Sequence, residues 1–172
     1  RELDWAQREI TLFGRRVKQP RLTAWYGDPD AEYRYSGLTL HPAPWHPLLL
    51  DLKQRIETFT GARFNSVLAN AYRDGRDSMG WHSDDEKELG PRPVIASLSL
   101  GAARRFLLRK RIRPRGERID SIALVLEPGS LLLMKGDSQL QFQHALPRTR
   151  RDIGLRINLT YRLVAAQAPV CR

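Results

Sequence analysis

Cysteine is nearly missing from this 172-residue chain: Cys171 stands alone beside the C-terminus. A single thiol forms no intrachain disulfide, which excludes a cross-linked small scaffold and suits a reducing cytoplasm. No apolar run approaches the roughly 18 residues of a helical membrane span, so a membrane partner is not expected. Acids are in short supply, 19 Asp and Glu against 29 Lys and Arg, for a formal charge of +10. That imbalance favours a polyanionic partner, above all a phosphate backbone; the bland alternative is a soluble arginine-rich protein. Repeats, low-complexity tracts and composition breaks are also lacking. One domain with a substantial core is therefore expected over 1–172.

Helix signals are scarce too. The one clear case starts at Pro47, a favoured first helical residue, and ends at Gly61. Its apolar face is expected to comprise Leu49, Leu52, Ile56 and Phe59. His41 and His46, beside prolines, read as surface or capping histidines. The rest alternates in the manner of strands separated by turns. Strands are expected from Asn65 to the turn at Asp74-Gly75, over 94–101, 104–109, 119–126 and 130–135, through 139–146 with His144 late in it, and over 152–164. Such a series argues for a mainly β domain with flanking helices, of sandwich or barrel type.

Three stretches carry chemistry. In His82-Ser83-Asp84 an extended backbone sends the imidazole and the carboxylate to one face. They make two thirds of a 2-His-1-carboxylate triad, which holds non-haem iron and leaves positions open. A distant histidine would be needed to complete it, and His144 lies late in a later strand. In the last strand Arg156, Asn158, Thr160 and Arg162 share one face, while Ile157, Leu159, Tyr161 and Leu163 share the other. Such a strand lies at the surface or lines the polar mouth of a barrel or sandwich. Arg156 and Arg162 are about 20 Å apart along an extended strand, so both meet one small ligand only by leaning inward. An arginine fork is the natural anchor for a dicarboxylate, and Asn70, Tyr72 and Asn158 offer neutral hydrogen bonds beside it. The loop 109–118, dense in Arg and Lys, is suited to phosphates, adding affinity without sequence choice. Tyr33 and Tyr35 share a strand face and could stack on an unstacked base or simply pack in their sheet. On local sequence Phe13, flanked by Arg15 and Arg16, reads as a core residue rather than a wedge between bases.

Taken jointly, His82-Ser83-Asp84, His144 and Arg156-Ile-Asn-Leu-Thr-Tyr-Arg162 resemble the signature of the AlkB family of Fe(II)- and 2-oxoglutarate-dependent dioxygenases. Asn70-Ala-Tyr72, Arg73-Asp74-Gly75, Asp84-Asp85-Glu86 and Ser97-Leu-Ser-Leu-Gly101 match as well, and Ser36-Gly-Leu-Thr39 matches the subgroup acting on DNA. The similarity runs from about residue 12 to 163.

The resemblance implies a double-stranded β-helix, or jelly-roll, core over 65–163 preceded by a nucleotide-recognition segment in 1–37. It implies His82, Asp84 and His144 as iron ligands, and Asn70, Tyr72, Arg156, Asn158 and Arg162 around 2-oxoglutarate. Tyr35, Glu86, Asp85 and Arg73 fall at positions near the target base, and Phe13 at that of a finger residue, reversing its local reading. The implied reaction is oxidative demethylation of bases such as 1-methyladenine and 3-methylcytosine in DNA, with O2, releasing formaldehyde, succinate and CO2. The protein would act as a monomer in a bacterial cytoplasm or a eukaryotic nucleus. The alternatives are RNA or protein as substrate on the same machinery, or a nucleic-acid-binding module without catalysis.

Overall fold

The computed structural model describes residues 3–12, 14–35, 38–112 and 120–165. The elements run β1 Glu9–Leu12, β2 Arg15–Lys18, β3 Leu22–Gly27, β4 Tyr33–Tyr35, β5 Leu38–Leu40, α1 Pro47–Thr60, β6 Ser66–Tyr72 and β7 Met79–His82. They continue with β8 Ile95–Gly101, β9 Arg104–Lys110, β10 Ser121–Leu126, β11 Leu131–Met134, α2 Ser138–Gln141, β12 Phe142–Leu146 and β13 Arg156–Arg162. β1 with β2, and β4 with β5, form separate two-stranded antiparallel pairs.

Two antiparallel sheets make the body: a major one in the order β11-β8-β13-β6-β3 and a minor one in the order β10-β9-β12-β7. This is the mainly β, jelly-roll type of architecture anticipated from the chain. Crossovers such as β8 beside β13 follow from strands that alternate between the two sheets.

Alternation gives the major sheet two unlike faces. Outward, Ala24, Tyr26, Val67, Ala69, Leu159 and Tyr161 pack with Leu49 and Ile56 of α1 and with Phe64. The Tyr161 hydroxyl donates to the Leu49 carbonyl at 3.0 Å, satisfying both buried groups. Inward, registers Thr23↔Asn70, Asn158↔Asn70 and Asn158↔Ser99 set a row of polar side chains across four strands. The polar side of β13 is therefore an inner face, not a surface. At one end Ile95, Phe106, Leu126 and Met134 form an apolar cluster between the sheets.

α1 forms where its caps place it. The Leu48 amide donates to His46 Nδ1, Pro47 occupies the first turn, and Gly61 closes the helix at φ 70°. Phe59 departs from expectation and is 83% exposed. At about 100° per residue it lies roughly 80° from the Leu49 direction, on the margin of the stripe that Leu49 and Ile56 centre. A second departure has consequences below: residues 138–141 form a helical turn, α2, where a continuous strand was expected. Apolar alternation across 139–143 could not reveal it, because a one-turn helix is too short to show a period.

Gly101 is required where β8 turns toward β9. Its φ is 78°, and a Cβ there would collide with the Leu155 carbonyl oxygen. No helix among the described residues is long and apolar enough to cross a membrane.

Candidate metal centre

His82 and His144 face each other directly across the β7–β12 pair, with ring centroids 4.1 Å apart. β7 ends at His82, and two residues on Asp84 turns back beneath both rings. His82 Nε2 lies 3.8 Å from Asp84 Oδ1, and His144 Nε2 lies 4.0 Å from Asp84 Oδ2. These separations are too long for good hydrogen bonds. The ligand atoms of the three residues all lie within 4.8 Å of one another.

Surrounding groups prepare them to bind a cation. His82 Nδ1 is 2.8 Å from the Gly80 carbonyl, which can only accept, so Nδ1 is the donor there and Nε2 is the nitrogen left for the triad. Phe106 stacks on His144 at 5.3 Å. Burial, then the neighbouring His82, push His144 down to about 4 against the pull of Asp84, keeping its imidazole neutral. Asp84 is 3% exposed. Burial alone would raise its carboxyl, but Arg162, His144 and His82 together hold it below the ordinary carboxylate range. Arg162 Nη2 donates to Asp84 Oδ1 at 2.8 Å. Two imidazoles and one fixed carboxylate suit a divalent metal of intermediate hardness.

Beside the triad a cavity of about 200 Å³ opens between the sheets. Asn70, Tyr72, Arg156, Asn158 and Arg162 all line it, together with Glu86. Arg156 is 2% exposed; its Nη2 donates to Ser99 Oγ at 2.9 Å and Asn158 Oδ1 at 2.8 Å. Its guanidinium lies 5.4 Å from the Tyr72 ring centroid. The buried Arg156 Nε has no hydrogen-bond partner, and no acid forms an ion pair with Arg156 among the described residues. Burial pushes Arg156 below its ordinary value, with Tyr72 opposing. A buried cation with a spare donor fits an anionic ligand that brings its own carboxylate.

Other anticipated residues are placed differently. Arg73 turns away from the cavity, its Nε and Nη2 donating to the two Asp77 oxygens at 2.8 and 2.9 Å. It lines a separate basic cleft with Lys18, Arg76, Arg148 and Arg150. Asp85 also stays outside the cavity lining, taking Arg111 Nη1 at 2.6 Å. In both cases a nearby opposite charge captures the side chain, which motif position does not reveal. Phe13 lies outside the described residues, as do Ser36 and Gly37; the backbone of Tyr35 lies in β4, and its side chain is outside the description. Of the basic loop 109–118, residues 109–112 are described. There Arg109 stacks 4.2 Å from the Trp81 ring centroid and donates to Gln143.

Sequence reasoning missed several contributors. Arg21 is 6% exposed, lines the cavity, and donates from Nε to Asn70 Oδ1 at 2.8 Å. It precedes β3, so no alternation announced it. Ser97 and Ser99 did leave a signal, as polar residues at every second place in an apolar strand. Arg104, 4% exposed, donates to the carbonyls of Asp74, Asp77 and Pro147 and secures the loops beneath Tyr72.

Two histidines and a carboxylate between jelly-roll sheets, beside a buried arginine awaiting an anion, define the scaffold of a non-haem iron oxygenase. The family model of the 2OG-Fe(II) oxygenase superfamily matches residues 1–162. The chain is 46% identical over 169 residues to alpha-ketoglutarate-dependent dioxygenase alkB homolog 3 of Bos taurus, and 45% over 168 residues to that of Homo sapiens, covering 95% of this chain in each case. It is 42% identical over 160 residues to DNA oxidative demethylase ALKBH2 of Mus musculus, covering 91% of this chain and 66% of that protein. A solved structure of OsALKBH1 superposes with a TM-score of 0.54 at 20% identity, covering 91% of this chain and 84% of that one, a likeness of fold alone. The chain belongs to the 2OG-Fe(II) oxygenase superfamily, and within it to the AlkB family. It spans 58% of the length of the alkB homolog 3 proteins of cattle and human.

Proposed function

We propose that this protein is an Fe(II)- and 2-oxoglutarate-dependent dioxygenase that removes N-methyl groups from bases of DNA. The observation that carries the reading is the convergence of His82, Asp84 and His144 within 4.8 Å beside the acid-free guanidinium of Arg156. Iron(II) held by that triad, with 2-oxoglutarate and O2, would supply the oxidising power, 2-oxoglutarate becoming succinate and CO2 as the methyl group leaves as formaldehyde.

The chain's own residues do the rest. His82, Asp84 and His144 would hold the metal, at the border of the cavity that would admit the other reactants. Arg156, with Ser99, Asn158 and Tyr72 fixing its fork, grips one carboxylate of 2-oxoglutarate. Arg162 holds Asp84 in direction and, with Asn70, borders the same ligand. Low polarity around the triad, from Phe106, Met134 and Leu68, excludes water from the reacting centre.

DNA as substrate is supported by the excess of Lys and Arg and by the likeness to the mouse DNA oxidative demethylase ALKBH2. A base must leave the stack to reach so enclosed a site, and methylated bases that cannot pair are extruded at least cost. Glu86, in the cavity lining, supplies a negative group toward a cationic base such as 1-methyladenine or 3-methylcytosine. The test is mass spectrometry of a 3-methylcytosine DNA oligonucleotide incubated with iron(II), ascorbate and 2-oxoglutarate. Loss of the mass of one CH2 unit is expected. An unchanged oligonucleotide with no succinate would overturn the reading, and turnover of the matching RNA alone would move the substrate.

A further inference from the structure

Asp84 is the one proposed ligand that no strand holds. β7 ends at His82, so the Asp84 amide has left the β ladder and needs another acceptor. It donates to Gln139 Oε1 at 2.9 Å. Gln139 is 1% exposed and belongs to α2, the helical turn that replaces the expected strand. Were 139–143 extended, Gln139 and Gln143 would share a face, and Gln143 already bonds Arg109 on β9. The turn frees Gln139 from that alternation and directs its amide inward beneath Asp84.

Its remaining contacts are consistent with one task. Among the described residues the Gln139 Nε2 reaches only Met134 Sδ and Ser138 Oγ, each at 3.4 Å, so the strong bond of this side chain is the one to Asp84. Neighbouring ties bind the same two segments: Ser83 Oγ donates to the Phe142 carbonyl at 2.9 Å, and Arg111 Nη1 joins Asp85 Oδ2 to the Gln139 carbonyl. Of these, only the Gln139 bond is buried and acts on the main chain of the ligand itself.

That bond also has something to resist. Arg162 draws on Asp84 Oδ1 from the major sheet, while the histidines stand on the minor one. An amide fixed by Gln139 sets the peptide plane before Asp84, and hence the direction of its Cα–Cβ bond. We propose that Gln139 is a positioning residue for the metal site: it holds Asp84 beneath His82 and His144 against the pull of Arg162. The proposal rests on the metal-centre reading above. It adds that the carboxylate's direction is set from α2, by a residue touching neither metal nor substrate.

The test uses cobalt(II) as an anaerobic spectroscopic probe, read by its visible absorption and its dissociation constant, with circular dichroism of each metal-free protein as the folding control. Wild type is compared with Gln139→Met, which fills the volume without an acceptor, and Gln139→Glu, which keeps one. Gln139→Asn, one methylene too short to reach, guards against a Met variant that fails to fold. Removing an outer support of this kind commonly weakens metal binding by about 10- to 100-fold. That loss, with altered cobalt bands, is expected of the Met and Asn variants, and near-wild-type binding of Glu. Met and Asn variants that bind cobalt as tightly as wild type, with its spectrum, would overturn the proposal, as would a Glu variant that falls as far as Met. A wild type that takes up no cobalt would instead bring down the metal-centre reading itself.

Discussion

On one face of β13, Ile157, Leu159 and Tyr161 pack with the core beneath α1; on the other, Arg156, Asn158, Thr160 and Arg162 line the cavity. Both faces are buried, yet their energetics run in opposite directions. The apolar side contributes about 1.5–3 kcal/mol for each fully buried large side chain. The cavity side confines two guanidiniums: Arg162 is paired with Asp84, and Arg156 is left with hydroxyl and amide partners only. Burying a cation on such terms costs stability. The contrast teaches that apolar packing of α1 on the outer face offsets the unfavourable charge that the inner face keeps ready for a ligand.

The comparison is tested first where the effect is greatest. Asp84→Asn should abolish succinate formation while the protein remains folded by circular dichroism; residual wild-type turnover would remove the triad from the mechanism. Next, Arg156→Met should raise the KM for 2-oxoglutarate by roughly 10- to 100-fold, the worth of a charge-assisted hydrogen bond, and leave unfolding stability equal or higher. On the outer face the signs reverse: Ile56→Ala should lower stability by about 2–5 kcal/mol in urea unfolding with KM unchanged in the folded fraction.

Acid gives a fourth, smaller effect in the metal-free protein. His144 has its pKa lowered to about 4 in the fold, from an ordinary value of 6.5. Between those values the unfolded chain takes up a proton that the fold refuses, so stability rises with pH across this window and falls as acid is added. The loss on going from pH 7 to 4 should approach ~3 kcal/mol and vanish in His144→Ala. The smallest effect belongs to Arg73→Ala, about 0.5–1 kcal/mol of stability with KM unmoved, because Arg73 serves Asp77 outside the cavity.

How far the chain could be read in advance varied with how local each signal was. The polar alternation of β13 and the His82–Asp84 spacing were visible because strand geometry alone sets which residues share a face. Joining His144 to them took a joint pattern, since antiparallel pairing brings together residues 82 and 144 with no local trace. Gln139 and Arg21 stayed hidden for a related reason: one sits in a single helical turn, the other just before a strand, where periodicity carries no information. Arg73 and Asp85 were drawn aside by Asp77 and Arg111, partners that motif position leaves out. Phe59 fell on the margin of its stripe, where a count of helical spacing does not separate inside from outside.

The most direct test of the central claim is anaerobic addition of iron(II) and then 2-oxoglutarate to the purified protein, followed by visible absorption. A weak charge-transfer band that needs both additions, and that is lost in His144→Ala and weakened in Arg156→Met, is the predicted result. A wild-type protein that shows no band at saturating concentrations of both would contradict the account.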